Sequence, residues 1–314
     1  MLSDADAREI ADRFGLGDHP ALTGPVARGE LGRVWRLTTT RGAWAVKESF
    51  ERTSHAEAVD AADHQDAARA AGIPVPALER TADGEVLVDV GTAQVRMYEW
   101  VDLADPDRWI DPVAVGRLVA AIHHVDHVGA TGVDGWYTDP VGAAAWDDLI
   151  RQLGTDGADL AGQLAALRDE LVALEAILEP PTQLETCHRD LFADNLRMTT
   201  AGPLCVIDWE NSGLADPSQE LAVVLFEFGC GDAARVRTLY DAYRDAGGPG
   251  TIQRRGDFSM LIAQLGHIGA LACRDWLDPA QRHDRDRHAG RIAEFVSDPV
   301  TRDVIDAMLD AVSI

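Results

Sequence analysis

The segment Cys187-His188-Arg189-Asp190-Leu191-Phe192-Ala193-Asp194-Asn195 is followed, after a short interval, by Val206-Ile207-Asp208-Trp209-Glu210. The first segment contains His-Arg-Asp, four further residues and then Asn, and an Asp follows thirteen positions later (208 − 195). The interval, residues 196–207, has the pattern of two short strands joined by a Thr-Ala-Gly-Pro turn. Such a hairpin places Asn195 and Asp208 at the same end of two adjacent strands, close enough to share an ion.

This order of polar residues is typical of a phosphoryl-transfer site. Transfer of a phosphoryl group requires one carboxylate at the acceptor hydroxyl and separate oxygen ligands for Mg²⁺ on the phosphates. Asp190 suits the first role, as catalytic base, and Asn195 and Asp208 suit the second, as metal ligands. The alternative is a polar turn without chemistry, but the predicted hairpin favours the kinase-type site.

A candidate phosphate loop and a candidate phosphate-binding lysine precede this site. Gly29, Gly32 and Val34 fit the later positions of a glycine-rich loop, while Ala27 occupies the position of its first glycine. Glycine lets backbone N–H groups approach phosphates closely, although a plain hairpin has a similar pattern. Lys47 ends the apolar strand Ala43–Val46 and is predicted to bind the α- and β-phosphates, with a solvated edge residue as the alternative.

Residues 54–71 are predicted to form a helix rich in alanine. A kinase requires one acid on this helix to hold the lysine in place. Glu57, Asp60 and Asp63 all lie on it, and the choice among them stays open; Glu57, the only Glu, is included in the predicted site although it comes early in the helix.

The periodicity of the chain changes from strand to helix at Glu99-Trp100-Val101-Asp102. Strands are expected on both sides of the 54–71 helix up to this point, and helices over 112–128, 143–154 and 158–178 beyond it. The predicted class is therefore α+β. The predicted division is an N-terminal lobe over 1–98, a hinge over 99–102 and a helical C-terminal lobe over 103–314.

The chain is strongly acidic: 28 Lys and Arg face 53 Asp and Glu, a net charge of −25 over 314 residues. This charge balance disfavours nucleic acid as a partner, because a phosphate backbone requires a basic face. An acidic cleft would attract a cationic substrate, but solubility or adaptation to salt explains the charge equally well. The acidic N-terminus and the shortness of the apolar runs predict a cytoplasmic protein with no membrane partner.

Taken together, these residues resemble the aminoglycoside phosphotransferase and choline kinase-like small-molecule kinases. The resemblance rests on three motifs: His188-Arg189-Asp190 with Asn195, the Ile-Asp-Trp-Glu segment that ends at Glu210, and Asp216-Pro217-Ser218-Gln219-Glu220-Leu221-Ala222. It implies a protein kinase-like bilobal fold, with an antiparallel sheet and one main helix in the N-lobe and a catalytic hairpin in a mostly helical C-lobe. It also implies ATP or GTP with Mg²⁺, and a hydroxyl of a small molecule as the acceptor.

Further site residues follow from the resemblance alone. The Glu99 carbonyl and the Val101 N–H would contact adenine, and Asp216 would brace the catalytic loop. Two acceptor classes stay open: a cationic one, such as an aminoglycoside or another basic antibiotic, and a metabolic one, such as choline, homoserine, a macrolide or a methylthio-sugar. A nucleotide-binding pseudoenzyme is a further alternative, and the sequence is compatible with a monomer or a homodimer.

Overall fold

The structure is a computed structural model that describes residues 2–29, 32–156 and 159–313. Glu30 and Leu31, in the middle of the predicted glycine-rich loop, lie outside the described residues. Contacts within the chain divide it into two compact units. The first unit comprises Met1–Asp107, His124–Gly132 and Asp190–Leu214, and the second comprises Arg108–His123, Val133–Arg189 and Ala215–Ile314. The lobe boundaries expected from the sequence stay a prediction.

The first unit is built on an antiparallel sheet and one long helix. The sheet has the order β1-β2-β3-β6-β4, and β5 pairs separately with β6. A short hairpin, β8 with β9, belongs to the same unit. The elements are α1 (Asp4–Arg13), β1 (Ala21–Arg28), β2 (Gly32–Thr39), β3 (Gly42–Ser49), α2 (His55–Ala70), β4 (Leu78–Glu79), β5 (Val88–Val90), β6 (Ala93–Glu99), β8 (Leu196–Met198), β9 (Leu204–Val206) and, at the edge of the unit, β10 (Gly213–Ala215).

The sheet has one apolar face because its strands alternate in the expected way. On β2, Trp35 and Leu37 are buried, and Trp44 and Val46 are buried on β3. They pack with Ile10 of α1 in one core cluster. Lys47 and Ala45, two positions apart on β3, therefore lie on the opposite face of the sheet.

The helix α2 is tied to the segment His124–Gly132 by one carboxylate. Asp60 accepts hydrogen bonds from the backbone N–H of Ala130 (2.9 Å), the backbone N–H of Thr131 (2.8 Å) and the Thr131 hydroxyl (2.8 Å). His127 Nε2 lies 3.2 Å from the same carboxylate. Burial opposes ionisation of Asp60, but the N–H and O–H donors outweigh it and lower the pKa of Asp60 below its ordinary value.

We expect Asp60→Ala to lower the free energy of unfolding by about 1.5–3 kcal/mol, the usual contribution of hydrogen bonds to a charged group. Because the pKa of Asp60 is lowered by folding, its stabilisation is present above the ordinary carboxyl pKa and is lost as the pH falls through the lowered value. Urea denaturation at neutral and acidic pH measures both effects. Asp63→Ala is the matched control, since the contact of Asp63 within the described residues is an exposed ion pair with Arg80, worth about 0–1 kcal/mol. Equal losses for the two variants would contradict the role given to Asp60.

The second unit is mostly helical and has its own core. Trp146, Leu153 and Leu164 are fully buried there and cluster with Ala270 and Cys273. Its elements are α3 (Pro112–Ile122), α4 (Ala143–Thr155), α5 (Ala161–Glu175), β7 (Glu185–Cys187), α6 (Pro217–Gly229), α7 (Ala233–Asp245), α8 (Ser259–Leu277), α9 (Arg285–Ser297) and α10 (Arg302–Ser313).

The predicted α+β class is confirmed, and the errors lie at the ends of elements. The helix expected over 112–128 ends at Ile122, and residues His124–Gly132 belong to the first unit. The strand expected over 85–88 is found at Val88–Val90. No helix in the described ranges combines the length and apolar character needed to cross a membrane.

Candidate active site

The β8–β9 hairpin fixes the start and the end of the polar segment. Leu196 pairs with Val206, and the Ile207 N–H donates to the Asn195 carbonyl at 2.9 Å. Asn195 and Asp208 therefore leave the hairpin at the same end, as the sequence pattern indicates. Asp208 has a left-handed backbone (φ +65°), a conformation that Asp tolerates better than most residues and that turns the chain sharply out of β9.

Two amide groups hold the Asp190 side chain. Asn195 Nδ2 donates to Asp190 Oδ2 at 2.8 Å and to the Asp190 carbonyl at 2.9 Å. Asn211 Nδ2 donates to the same Oδ2 at 3.1 Å. Burial, together with the nearby charge of Asp208, raises the pKa of Asp190 to about 7. The sequence pattern predicted Asp190 and Asn195 as site residues but did not indicate Asn211. The contact of Asn211 with Asp190 is seen only in the folded structure.

Lys47 is held by two carboxylates from the end of the hairpin. Its Nζ lies 2.5 Å from Asp208 Oδ1 and 3.0 Å from Glu210 Oε2. Burial opposes the charge of Lys47, but the carboxylates of Asp208 and Glu210 outweigh it and raise the pKa of Lys47 above its ordinary value. The structure therefore brings together Lys47 and Asp208, two of the residues proposed from the sequence.

Glu210 is anchored in turn by strand β6. Tyr98 donates its hydroxyl to Glu210 Oε1 at 3.0 Å, and Arg96 Nη1 lies 3.7 Å from the same oxygen. Burial, followed by the charge of Glu210, raises the pKa of Tyr98 and keeps its phenol protonated. Sequence reasoning assigned no role to these three residues, because nothing in the order of the chain indicates that β6 and the hairpin meet.

The acids of α2 have other partners. Glu57 bonds to the hydroxyl of Ser54 at the first turn of the helix (2.9 Å), Asp60 binds the segment after His127, and Asp63 pairs with Arg80. The expected ion pair of Lys47 with Glu57 is thus replaced by pairs with Asp208 and Glu210. The physical reason is that none of the buried positions of α2 is an acid; these positions are Ala58, Ala61, Ala62, His64, Gln65 and Ala68.

The first two strands place the glycine-rich segment beside Lys47. Val34 pairs directly with Lys47 across β2 and β3, and Gly32 pairs with Ser49. A side chain at Gly32 would put its Cβ 2.5 Å from the Glu48 carbonyl, so only glycine fits there. Gly29 donates its N–H to the Gly32 carbonyl at 3.0 Å, and among the described residues the atom nearest to a Cβ on Gly29 would be that same carbonyl oxygen, at 4.0 Å.

We expect Gly32→Ala to lower the free energy of unfolding by about 1–3 kcal/mol, because its methyl group forces β2 and β3 apart. Gly29→Ala is the matched control from the same segment and should change stability by no more than about 0.5 kcal/mol, since the nearest described atom lies 4.0 Å from its added methyl group. Thermal and urea denaturation of the two variants measure the difference. A tolerated Gly32→Ala would mean that the two strands are not held at this spacing.

The proposed adenine-contacting residues lie at the end of β6. Glu99 is the last residue of the strand, is exposed and donates its N–H to the Ala77 carbonyl at 2.8 Å. Val101 follows two residues later, outside any helix or strand. Next to it, the Arg36 guanidinium lies over the Trp100 ring at 4.6 Å. The contacts of Glu99 and Val101 with a nucleotide stay proposals.

The donor set at the hairpin suits a hard cation. Asn195 uses its amide nitrogen on Asp190, which leaves the amide oxygen as a ligand, and Asp208 offers a carboxylate that is one-third exposed. Mg²⁺ binds such oxygen atoms and retains several waters. The residues present therefore fit the Mg²⁺ that the sequence implies, with Asn195 and Asp208 as the groups that would hold it.

In the second unit, a buried acid binds the backbone just before Asp190. Glu220 accepts a hydrogen bond from the Arg189 N–H and lies 2.7 Å from His123 Nε2. Asp216 instead accepts from the Thr182 N–H and the Ser218 N–H, at 2.8 and 2.9 Å. The brace on the catalytic loop is thus made by Glu220, whereas Asp216 caps α6 and holds the segment before β7.

A sequence model of the phosphotransferase enzyme family matches residues 23–256 of the 314-residue chain. That range includes Lys47, the whole hairpin and its flanking polar residues. No curated protein sequence matches the chain.

Solved structures share the fold at low sequence identity. A spectinomycin phosphotransferase crystallised with ADP and spectinomycin is 11% identical, with a TM-score of 0.70 and coverage of 100% of this chain and 99% of that one. An aminoglycoside phosphotransferase from Alicyclobacillus acidocaldarius is 17% identical (TM-score 0.58, coverage 95% and 97%). A choline/ethanolamine kinase family protein from Mesorhizobium loti is 18% identical (TM-score 0.55, coverage 98% and 99%). These similarities confirm the predicted kinase-like fold. Because the family model spans most of the chain, the protein belongs to the phosphotransferase enzyme family and is a small-molecule kinase.

Proposed function

We propose that this protein transfers the γ-phosphoryl group of ATP or GTP, with Mg²⁺, to a hydroxyl of a small cationic molecule. The observation that carries the proposal is the arrangement around Asp190. Both amide donors, from Asn195 and Asn211, bond to Oδ2, which leaves Oδ1 to meet the acceptor hydroxyl. A raised pKa close to neutral suits a group that takes a proton in one step and releases it in the next.

The remaining residues supply charge and position. Lys47 offers a cation for the phosphates, and Asn195 and Asp208 offer oxygen ligands for a divalent ion. When bound, Mg²⁺ neutralises the charge that develops on the transferred group. Asp190 orients the hydroxyl and accepts its proton as the oxygen–phosphorus bond forms and the bond to the nucleoside diphosphate breaks. In this scheme catalysis consists mainly of positioning and of charge stabilisation.

A cationic acceptor, such as an aminoglycoside or another basic antibiotic, is supported by the net charge of −25. Solved neighbours of this fold include phosphotransferases of spectinomycin and a kinase complexed with amicoumacin. An acceptor of the choline class is the second candidate, since a choline kinase from Streptococcus pneumoniae also shares the fold. A cage for its quaternary amine would not use Trp44 or Trp209, because both are buried in the first unit.

A coupled phosphoryl-transfer assay tests the proposal across aminoglycosides, other basic antibiotics, macrolides, choline and homoserine, each with ATP and with GTP. Turnover of one basic antibiotic would support the full proposal. Turnover confined to a neutral or zwitterionic acceptor would support phosphoryl transfer but reject the inference of a cationic acceptor from the net charge. Binding of nucleotide without turnover of any acceptor would favour a pseudoenzyme, and no binding of nucleotide would reject the function.

A further inference from the structure

We propose that Glu210 is the positioning residue for Lys47, in the role that an acid of α2 was expected to have. This inference rests on the proposed function, because it assigns Lys47 to the phosphates of the nucleotide. It concerns contacts within the first unit: the Lys47 pair with Glu210 at 3.0 Å and the bonds that hold Glu210 to β6.

The register of the sheet explains why an acid is needed at this point. Lys47 on β3 pairs directly with Arg96 on β6, so two cations lie side by side on adjacent strands. Like charges in this position are destabilising. The carboxylate of Glu210 bridges them, with Oε2 at 3.0 Å from Lys47 Nζ and Oε1 at 3.7 Å from Arg96 Nη1.

Glu210 is also the better anchored of the two acids that Lys47 contacts. Its side chain is 15% exposed, whereas that of Asp208 is 33% exposed. Tyr98, two residues beyond Arg96 and therefore on the same face of β6, donates its hydroxyl to Glu210. The contacts of Tyr98 and Arg96 with Glu210 Oε1 hold this carboxylate against β6. The sheet therefore determines the position of Lys47, which contacts the other oxygen of Glu210.

Asp208 cannot serve as the lasting partner of Lys47 if it also binds a divalent ion. A carboxylate shared with the ammonium at 2.5 Å has less negative charge to offer a metal. Glu210 gives Lys47 a second partner that is independent of the metal ligands. Lys47 therefore keeps its position for the phosphates whether the Asp208 carboxylate contacts the lysine ammonium or a divalent ion.

A double-mutant cycle on the full chain tests this role by calorimetry with ADP in the absence of divalent metal. We expect Glu210→Gln to weaken ADP binding by about 5- to 10-fold, because a misplaced Lys47 loses much of its contact with the phosphates. In a Lys47→Ala background the same change should alter the affinity by less than about 2-fold, since Glu210 would act only through Lys47. Tyr98→Phe, which removes the anchor of Glu210, should weaken binding in the same direction but less.

Two controls separate positioning from a general loss of structure. Glu48→Gln alters another buried acid of β3, which bonds to Trp35, and should leave ADP affinity unchanged. Urea denaturation of Lys47→Ala, Glu210→Gln and the double variant should show a coupling in stability, a readout that needs no nucleotide.

Two results would overturn the inference. One is an equal effect of Glu210→Gln on ADP affinity with and without Lys47. The other is an effect seen only when Mg²⁺ is present, which would make Glu210 a metal ligand. Either result, with wild-type phosphoryl transfer intact, leaves the proposed function standing. If the wild type fails to bind ADP but Lys47→Ala and Glu210→Gln are coupled in the free energy of unfolding, the proposed function is rejected while the Lys47–Glu210 ion pair is supported.

Discussion

Asp190→Asn is expected to lower kcat by about 10²- to 10⁴-fold, the usual contribution of a general base. The amide oxygen of Asn can still accept a hydrogen bond from Asn195 or Asn211, so the loop keeps its shape, but it cannot take a proton from the acceptor. Affinity for nucleotide should change by no more than about 2-fold, because Asp190 acts on the acceptor. Steady-state kinetics on the first active acceptor, with calorimetry for ADP, measure both quantities.

Asp194→Asn is the matched control for this change. Asp194 lies four residues further along the same loop, is exposed, and loses the same charge in the variant. Its kcat should stay within about 2-fold of wild type, as for most surface changes. If Asp190→Asn retained full activity, or if both variants lost it equally, Asp190 would not be the base.

Asp208→Asn is expected to reduce kcat/KM by at least about 100-fold, equivalent to about 3 kcal/mol of transition-state stabilisation. The substitution removes the negative charge offered to the divalent ion and one of the two carboxylates that contact Lys47. Asn tolerates the left-handed backbone at this position, so the turn after β9 should be preserved. The Mg²⁺ concentration that gives half-maximal activity should rise by about 10-fold or more.

A changed dependence of activity on Mg²⁺ concentration is the result that would identify Asp208 as a metal ligand. A Mg²⁺ titration of activity at saturating nucleotide measures it, and thermal denaturation checks that the variant is folded. Asp194→Asn again serves as the control and should leave the titration unchanged. An unaltered Mg²⁺ requirement in Asp208→Asn would assign the metal to other ligands.

The catalytic hairpin could be predicted from the sequence because all its determinants are local. A Gly-Pro turn between two short apolar strands fixes their register, and that register brings Asn195 and Asp208 to the same end. Asp190 precedes Asn195 by only five residues, so its side chain is within reach of the Asn195 amide. The close strand pairing at Gly32 could not be predicted in this way, because the Glu48 carbonyl that leaves no room for a Cβ lies on β3, and the sequence pattern assigned this glycine only to a phosphate loop.

The partner of Lys47 was decided by the tertiary structure. The sequence offers acids on α2 at spacings that cannot be distinguished without knowing which helix face is buried, and the buried face proves to carry no acid. The two acids that do contact Lys47, Asp208 and Glu210, both lie more than 160 positions further along the chain. Tyr98, which anchors Glu210, comes from a third segment. Local sequence patterns contain information only about residues that are close in the chain, whereas this ion pair depends on three distant segments folded together. The sequence by itself therefore determined which catalytic and charged side chains are present. The tertiary structure, through the sheet, determined which acid holds the lysine.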